Sequence, residues 1–136
     1  MAVGLVIVSH SRRLAEGVVE LAEQMAHGNV RLIAAGGTED GSIGTSLTKV
    51  THAIFNADSG DGVVVLVDLG SAAFVAEMAL EQLTTLRRQR VRISNGPLVE
   101  GAVIAAVEAA VGGPLDQILA TAESAKELDK LSKRSS

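Results

Sequence analysis

Two stretches of the chain are unbroken runs of aliphatic, mostly β-branched residues: Val3-Gly-Leu-Val-Ile-Val8 and Val63-Val-Val-Leu-Val67. A strand covered on both faces has no polar positions to alternate with, so such runs predict the central strands of a parallel sheet. Val30-Arg-Leu-Ile-Ala-Ala35 and Val91-Arg-Ile-Ser94 alternate more and predict flanking strands, the second at an edge. Helical patterns fill the gaps. Leu14, Val18, Leu21, Ala22 and Met25 recur at helix spacing with Glu16, Glu20 and Glu23 mostly opposite, and Gly28 supplies a stop. Leu47, Val50 and Ile54 mark a second helix, ended by the Asp58-Ser-Gly-Asp-Gly62 turn cluster. Residues 73–86 give a third and 98–111 a fourth, apolar nearly all round apart from Glu100 and Glu108. A further helix is expected around residues 115–123.

Strand and helix therefore alternate. That order predicts an α/β fold, a three-layer sandwich with a mainly parallel central sheet and right-handed crossovers. The fourth helix needs cover on more than one side, from a second subunit or from a deep position within the fold. The 136 residues suffice for one domain, expected over residues 1–125. Residues 126–136 read as a polar tail carrying four of the twelve basic side chains. No segment reaches the ~18 consecutive apolar residues that span a bilayer. The N-terminal run is too short for a signal-peptide core, and its arginines follow it. A cytoplasmic protein is expected.

Composition narrows the function classes. Two Phe with no Trp or Tyr cannot build stacking platforms for single-stranded nucleic acid. A net charge of −4 has the wrong sign for a phosphate-backbone binder. The absence of cysteine removes disulfides, thiolate metal sites and cysteine nucleophiles together.

Ligands of open α/β sheets collect beyond the carboxyl ends of the strands, where strand order reverses. The first strand runs into Ser9-His10-Ser11-Arg12-Arg13 and the third into Asp68-Leu69-Gly70-Ser71-Ala72. With strands one and three adjacent, His10 faces Asp68. Free imidazole titrates near ~6.5 and is a competent nucleophile at neutral pH. A carboxylate accepting Nδ1–H fixes the tautomer and leaves the Nε2 lone pair pointing outward. Gly70, Ser71 and Ala72 supply small residues and helix-start N–H groups for anionic oxygens, with Ser11 and Arg13 as further donors. Such a constellation suits phosphoryl transfer through a phosphohistidine, which asks for positioning and charge stabilisation. Taken singly, His10 is equally a polar loop residue, and Asp68 a helix cap.

Other features carry less. His27 falls in the last turn of the first helix and His52 on the solvent face of the second, and neither spacing makes a zinc site. Gly36-Gly-Thr-Glu-Asp-Gly41-Ser42 has the outline of a P-loop with Ser42 where lysine is needed. No G-x-G-x-x-G follows the first strand. Arg87-Arg-Gln-Arg-Val-Arg92 reads as a solvated helix end complementing the macrodipole.

Val6-Ile-Val-Ser-His10-Ser, Leu14-Ala-Glu-Gly17, Ile43-Gly-Thr45, Val67-Asp-Leu-Gly-Ser-Ala72 and Pro97-Leu-Val-Glu-Gly101 occur together and in order. Jointly they resemble the phosphotransferase subunit of the bacterial PTS-dependent dihydroxyacetone kinase, whose fold is that of mannose-type enzyme IIA domains. The resemblance runs from about Val3 to Glu123. It implies that His10 accepts phosphate from the phosphocarrier HPr, itself charged from phosphoenolpyruvate by enzyme I, and that Asp68 orients the ring. It implies onward transfer to ADP on the nucleotide-binding kinase subunit, so ADP and magnesium belong to the partner and this chain needs no cofactor or metal. A homodimer is implied as well. Some relatives carry fused HPr-like and enzyme I-like domains, for which this chain is too short, so the donor is expected to be a separate protein.

Three rival readings remain at this level. A mannose-type enzyme IIA uses the same histidine for sugar uptake, with a longer Gly-Gly-Ser-Pro segment expected after the third strand. A receiver domain would phosphorylate Asp68, but needs acidic residues where Ser9 and His10 stand. A regulatory binding module would read phosphohistidine as a signal.

Overall fold

The computed structural model describes residues 2–131. Four strands, β1 (Gly4–Ser9), β2 (Leu32–Gly36), β3 (Val63–Val67) and β4 (Val91–Ile93), form one sheet in the order β2-β1-β3-β4. Every pairing is parallel: Val6 lies opposite Ile33 on one side and Val65 on the other, and Val65 opposite Ile93. The two apolar runs are thus the two inner strands, and strand order reverses between them.

Period-two alternation divides the inner strands between two cores. Leu5, Ile7, Val64 and Leu66 point to one face, where α1 (Arg12–Ala26), α5 (Leu98–Ala110) and α6 (Leu115–Ser124) cover them. Val6, Val8, Val63 and Val65 point to the other, under α2 (Leu47–Ala57) and α3 (Gly70–Glu81). This is the three-layer α/β sandwich that the alternation predicts.

The helices approach the sheet through small side chains. On α1 the buried residues are Ala15, Val18, Ala22 and Ala26, whereas Leu14, Leu21 and Met25 are more than two-fifths exposed. The sequence pattern therefore placed the larger side chains wrongly. Residues at 15, 18, 22 and 26 keep the same helical spacing, and their small volume permits the closer packing. One face of the apolar α5 finds its cover inside the chain, where Ala102, Ala105, Ala106 and Ala109 join the core shared with α1 and α6, while Val99 and Val107 stay more than a third exposed. A Cβ on Gly101 would stand 3.0 Å from Leu66, so glycine lets this helix close on β3.

The single helix expected over residues 73–86 is two. It begins earlier, at Gly70, and stops at Glu81; Thr84 then caps the short α4 (Thr85–Arg88), its Oγ1 accepting the Arg87 N–H. Beyond α6, a 3₁₀ turn spans Ala125–Glu127, and Lys130 Nζ lies 2.6 Å from Glu100 Oε2. Residues 132–136 of the expected tail lie outside the described residues. Among the described residues no helix is long and apolar enough to cross a membrane.

The arginine run is not merely solvated. The Asp58 carboxylate, 1% exposed, accepts Arg87 Nη1 at 3.3 Å and Arg90 Nη2 at 2.8 Å, and the Arg87 guanidinium lies over the Phe55 ring. This clasp ties the end of α2 to the α4–β4 connection.

Candidate phosphohistidine site

His10 follows β1 directly and Asp68 follows β3, so the parallel β1–β3 pairing carries both to the same end of the sheet. The backbone reinforces the juxtaposition, since the Asp68 N–H donates to the Val8 carbonyl. Two further contacts hold His10. The Gly44 N–H donates to its carbonyl at 2.8 Å, and the Gly37 N–H donates to that of Ser9 at 3.2 Å. Gly36 makes room for this arrangement: a Cβ there would meet the Ser11 carbonyl oxygen at 2.5 Å and Ala15 Cβ at 2.8 Å. The start of α1 can therefore lie against the end of β2.

The imidazole is held from both sides. Nδ1 lies 3.1 Å from Asp68 Oδ1, and Nε2 lies 2.7 Å from the Ser71 hydroxyl. An ionised carboxylate only accepts, so Nδ1 carries the proton. Nε2 is then the lone-pair nitrogen, and the Ser71 hydroxyl donates to it. The ring is 24% exposed, reachable yet supported.

Asp68 accepts four hydrogen bonds. Oδ1 receives the Leu69 N–H at 2.7 Å besides the ring, while Oδ2 receives the Ser9 hydroxyl at 2.9 Å and the His10 N–H at 3.0 Å. Burial of this carboxyl acts to raise its pKa. The hydrogen bonds from His10, Ser9 and Leu69 outweigh it and hold the group below the usual carboxylate range. The orienting group is thus a carboxylate at neutral pH.

The other candidates fall into place unequally. Gly70 and Ser71 are the first two residues of α3, whose N–H groups the helix geometry leaves without internal acceptors. Ala72 differs from the expectation: it is fully buried, and its N–H turns back to the Leu69 carbonyl at 3.0 Å, so it is no anion donor. Ser11 caps α1, its Oγ accepting the Leu14 N–H at 3.1 Å and its own N–H donating to Ser9 Oγ. The Ser11 hydroxyl proton stays available. Arg13 is exposed on the first turn of α1, close in sequence to His10. Two helix starts thus converge on one imidazole, and both favour negative charge there.

Sequence reasoning missed Ser9. Its burial and its bond to Asp68 were foreshadowed only by a polar residue at the end of a doubly covered strand. The P-loop-like segment proves to be a turn closed on Asp40, which accepts from the hydroxyls of Thr38 and Ser42 and from the Ser42 N–H. Those bonds lower the Asp40 pKa to about 2. His27 closes α1 in a left-handed conformation, and His52 is exposed on α2. A groove of about 420 Å³ opens between the ends of β3 and β4, walled by Asp68, Gly70, Glu77, Ser94 and Asn95. His10 does not line it. The imidazole sits on an accessible rim, a placement that suits a macromolecular partner. Among the described residues no cluster of His, Cys, Asp and Glu could hold a metal.

Residues 4–119 match the family model described as the PTS system fructose IIA component. The chain is 46% identical to the phosphoryl donor subunit of PEP-dependent dihydroxyacetone kinase from Escherichia coli K12, over 92% of this chain and 27% of that one. It thus spans about a quarter of the length of such relatives. The corresponding subunit of Listeria innocua kinase 2 is 37% identical, over 86% of this chain and 94% of that one. Among solved structures, EF1359, described as of unknown function, is 36% identical with a TM-score of 0.78, covering 91% of this chain and 95% of that one. A mannose/sorbose-specific IIA subunit from Enterococcus faecalis shares the fold, with a TM-score of 0.62 at 20% identity over 99% and 98% of the two chains. The chain belongs to the family of the PTS system fructose IIA component, and within it to the phosphoryl donor subunits of PEP-dependent dihydroxyacetone kinase.

Proposed function

We propose that this chain is a phosphohistidine carrier. It receives a phosphoryl group from HPr, charged ultimately from phosphoenolpyruvate, and passes it to ADP on the nucleotide-binding subunit of a dihydroxyacetone kinase. The observation that carries this reading is the His10 ring, with Nδ1 on Asp68 and Nε2 turned toward Ser71. Similarity to phosphoryl donor subunits of PEP-dependent dihydroxyacetone kinase supports a kinase as the acceptor.

The chemistry needs little from the protein beyond placement. The Nε2 lone pair attacks phosphorus. The Nε2–P bond forms as the donor's P–N bond breaks, and that electron pair returns to the donor's imidazole. The Nδ1 proton stays in place, so the phosphorylated ring bears a positive charge facing the Asp68 carboxylate. The Gly70 and Ser71 N–H groups, with the Ser71 and Ser11 hydroxyls and Arg13, receive the phosphoryl oxygens. In the second step an oxygen of the ADP β-phosphate attacks phosphorus, a P–O bond forms and the Nε2–P pair returns to His10. Residues 1–125 form the carrier unit. It works in the cytoplasm, where its donor is made, as a homodimer.

The test is reconstitution. Phosphoenolpyruvate, enzyme I, HPr and this chain are combined with the kinase subunits and magnesium ADP, and dihydroxyacetone phosphate is measured. Turnover that requires this chain supports the reading. Phosphate uptake without transfer to ADP points to sugar uptake or signalling and contradicts it.

A further inference from the structure

Ser9 has no part in the chemistry described above, yet its hydroxyl is engaged both as donor and as acceptor beside His10. It ends β1 opposite Gly36 and is completely buried, so water cannot replace what its hydroxyl does. A hydroxyl owns one proton. Here Oγ accepts the Ser11 N–H at 3.0 Å and lies 2.9 Å from Asp68 Oδ2, an oxygen that only accepts. The direction of the chain is therefore fixed: the Ser11 N–H donates to Ser9, and the Ser9 O–H donates to Asp68. Hydrogen bonds arranged head to tail in a buried setting strengthen one another.

From this geometry we infer that Ser9 is a positioning residue for phosphoryl uptake: its hydroxyl holds Asp68 turned so that Oδ1 faces Nδ1 of His10. The inference rests on His10 being the phosphoryl acceptor. The torsion that rotates a carboxylate about its own axis is broad and sets no preferred plane by itself. Two donors from the end of β1 pin Oδ2, the Ser9 hydroxyl and the His10 N–H, leaving Oδ1 to the Leu69 N–H and the ring. Without the hydroxyl, Oδ2 keeps one of its two donors and the Ser11 N–H at the cap of α1 loses its acceptor. The carboxylate then turns, and the ring loses the partner that keeps its proton on Nδ1.

The experiment uses the whole chain as Ser9→Ala, Ser9→Cys and Ser9→Thr, with phosphoramidate as a small phosphoryl donor that requires no partner protein. Cysteine preserves the approximate volume with only a weak donor, and threonine preserves the hydroxyl. Circular dichroism first establishes which variants fold; should Ser9→Ala not fold, Ser9→Cys carries the same comparison. Phosphoryl uptake falls about 10- to 100-fold in Ser9→Ala and Ser9→Cys, as expected for loss of a hydrogen bond to a charged group, and recovers in Ser9→Thr. Nitrogen-15 spectra of His10 show the proton on Nδ1 in the unsubstituted chain and partly on Nε2 in Ser9→Ala and Ser9→Cys. Unchanged rate and unchanged ring spectra in these two variants overturn the inference, as does a Ser9→Thr variant as slow as Ser9→Ala. If even the unsubstituted chain takes up no phosphoryl group, the carrier reading fails, and the ring spectra alone still decide whether Ser9 sets the His10 tautomer.

Discussion

Two aspartates bracket β3, and they do opposite work. Asp58 precedes the strand and binds Arg87 and Arg90; Asp68 follows it and binds His10. Both carboxyls are pulled below the usual range against the effect of burial. Arg90, the Gly60 N–H and Arg87 do this for Asp58, and the surrounding hydrogen bonds do it for Asp68. The difference lies in the partner. A guanidinium is permanently charged and offers no lone pair, so the Asp58 cluster can only hold parts together. An imidazole held by one nitrogen keeps the other for chemistry. Position follows the same division: Asp58 lies at the amino end of the sheet, and Asp68 at the carboxyl end, where the strand order reverses.

The sharpest way to break this contrast is at the ring. His10→Ala should fold normally and lose all phosphate uptake from phosphoenolpyruvate, enzyme I and HPr, measured with labelled phosphate. Uptake retained in that variant would end the comparison. Asp68→Asn keeps the shape but not the charge, and should slow uptake about 10- to 100-fold, the usual cost of losing the partner that orients a functional histidine. Asp58→Asn should do the reverse. Uptake persists below the melting temperature, while denaturant unfolding shows a loss of about 1–3 kcal/mol, less than a fully buried pair because the arginines stay partly exposed.

A pH titration of stability should reveal both carboxyls. A group whose folded-state pKa lies below its unfolded value stabilises the fold fully above the unfolded value, ~3.9 for aspartate. That contribution drains away as pH falls through the folded value. The melting temperature should therefore drop below about pH 4, and Asp58→Asn should flatten part of the slope. The smallest effect is expected at the remaining histidines: His27→Ala and His52→Ala leave uptake unchanged.

Much of this was legible in the sequence, for physical reasons that differ by element. The inner strands announced themselves because full burial on two faces demands apolar residues at every position. Once β1 and β3 were neighbours, parallel pairing carried the residues after them, His10 and Asp68, to one place. The buried face of α1 was misread because large side chains were favoured over alanines, although close packing in a small α/β sandwich selects alanine. The Asp58 clasp left no local trace, since its partners lie 29 and 32 residues away. Ala72 looked like a cradle residue until the first turn of α3 showed its N–H bonded to Leu69. Ser9 was hidden by its place at the end of an apolar run, where a serine reads as the strand's last residue and not as part of a site.

The most direct test of the account is the identity of the phosphorylated atom. The chain would be charged from phosphoenolpyruvate, enzyme I and HPr, then studied by phosphorus-31 and nitrogen-15 NMR alongside the chemical lability of the adduct. The account predicts an acid-labile, alkali-stable phosphoryl group on Nε2 of His10, with Nδ1 still facing Asp68. A hydroxylamine-sensitive acyl phosphate on Asp68, or a phosphoryl group on Nδ1, would contradict it.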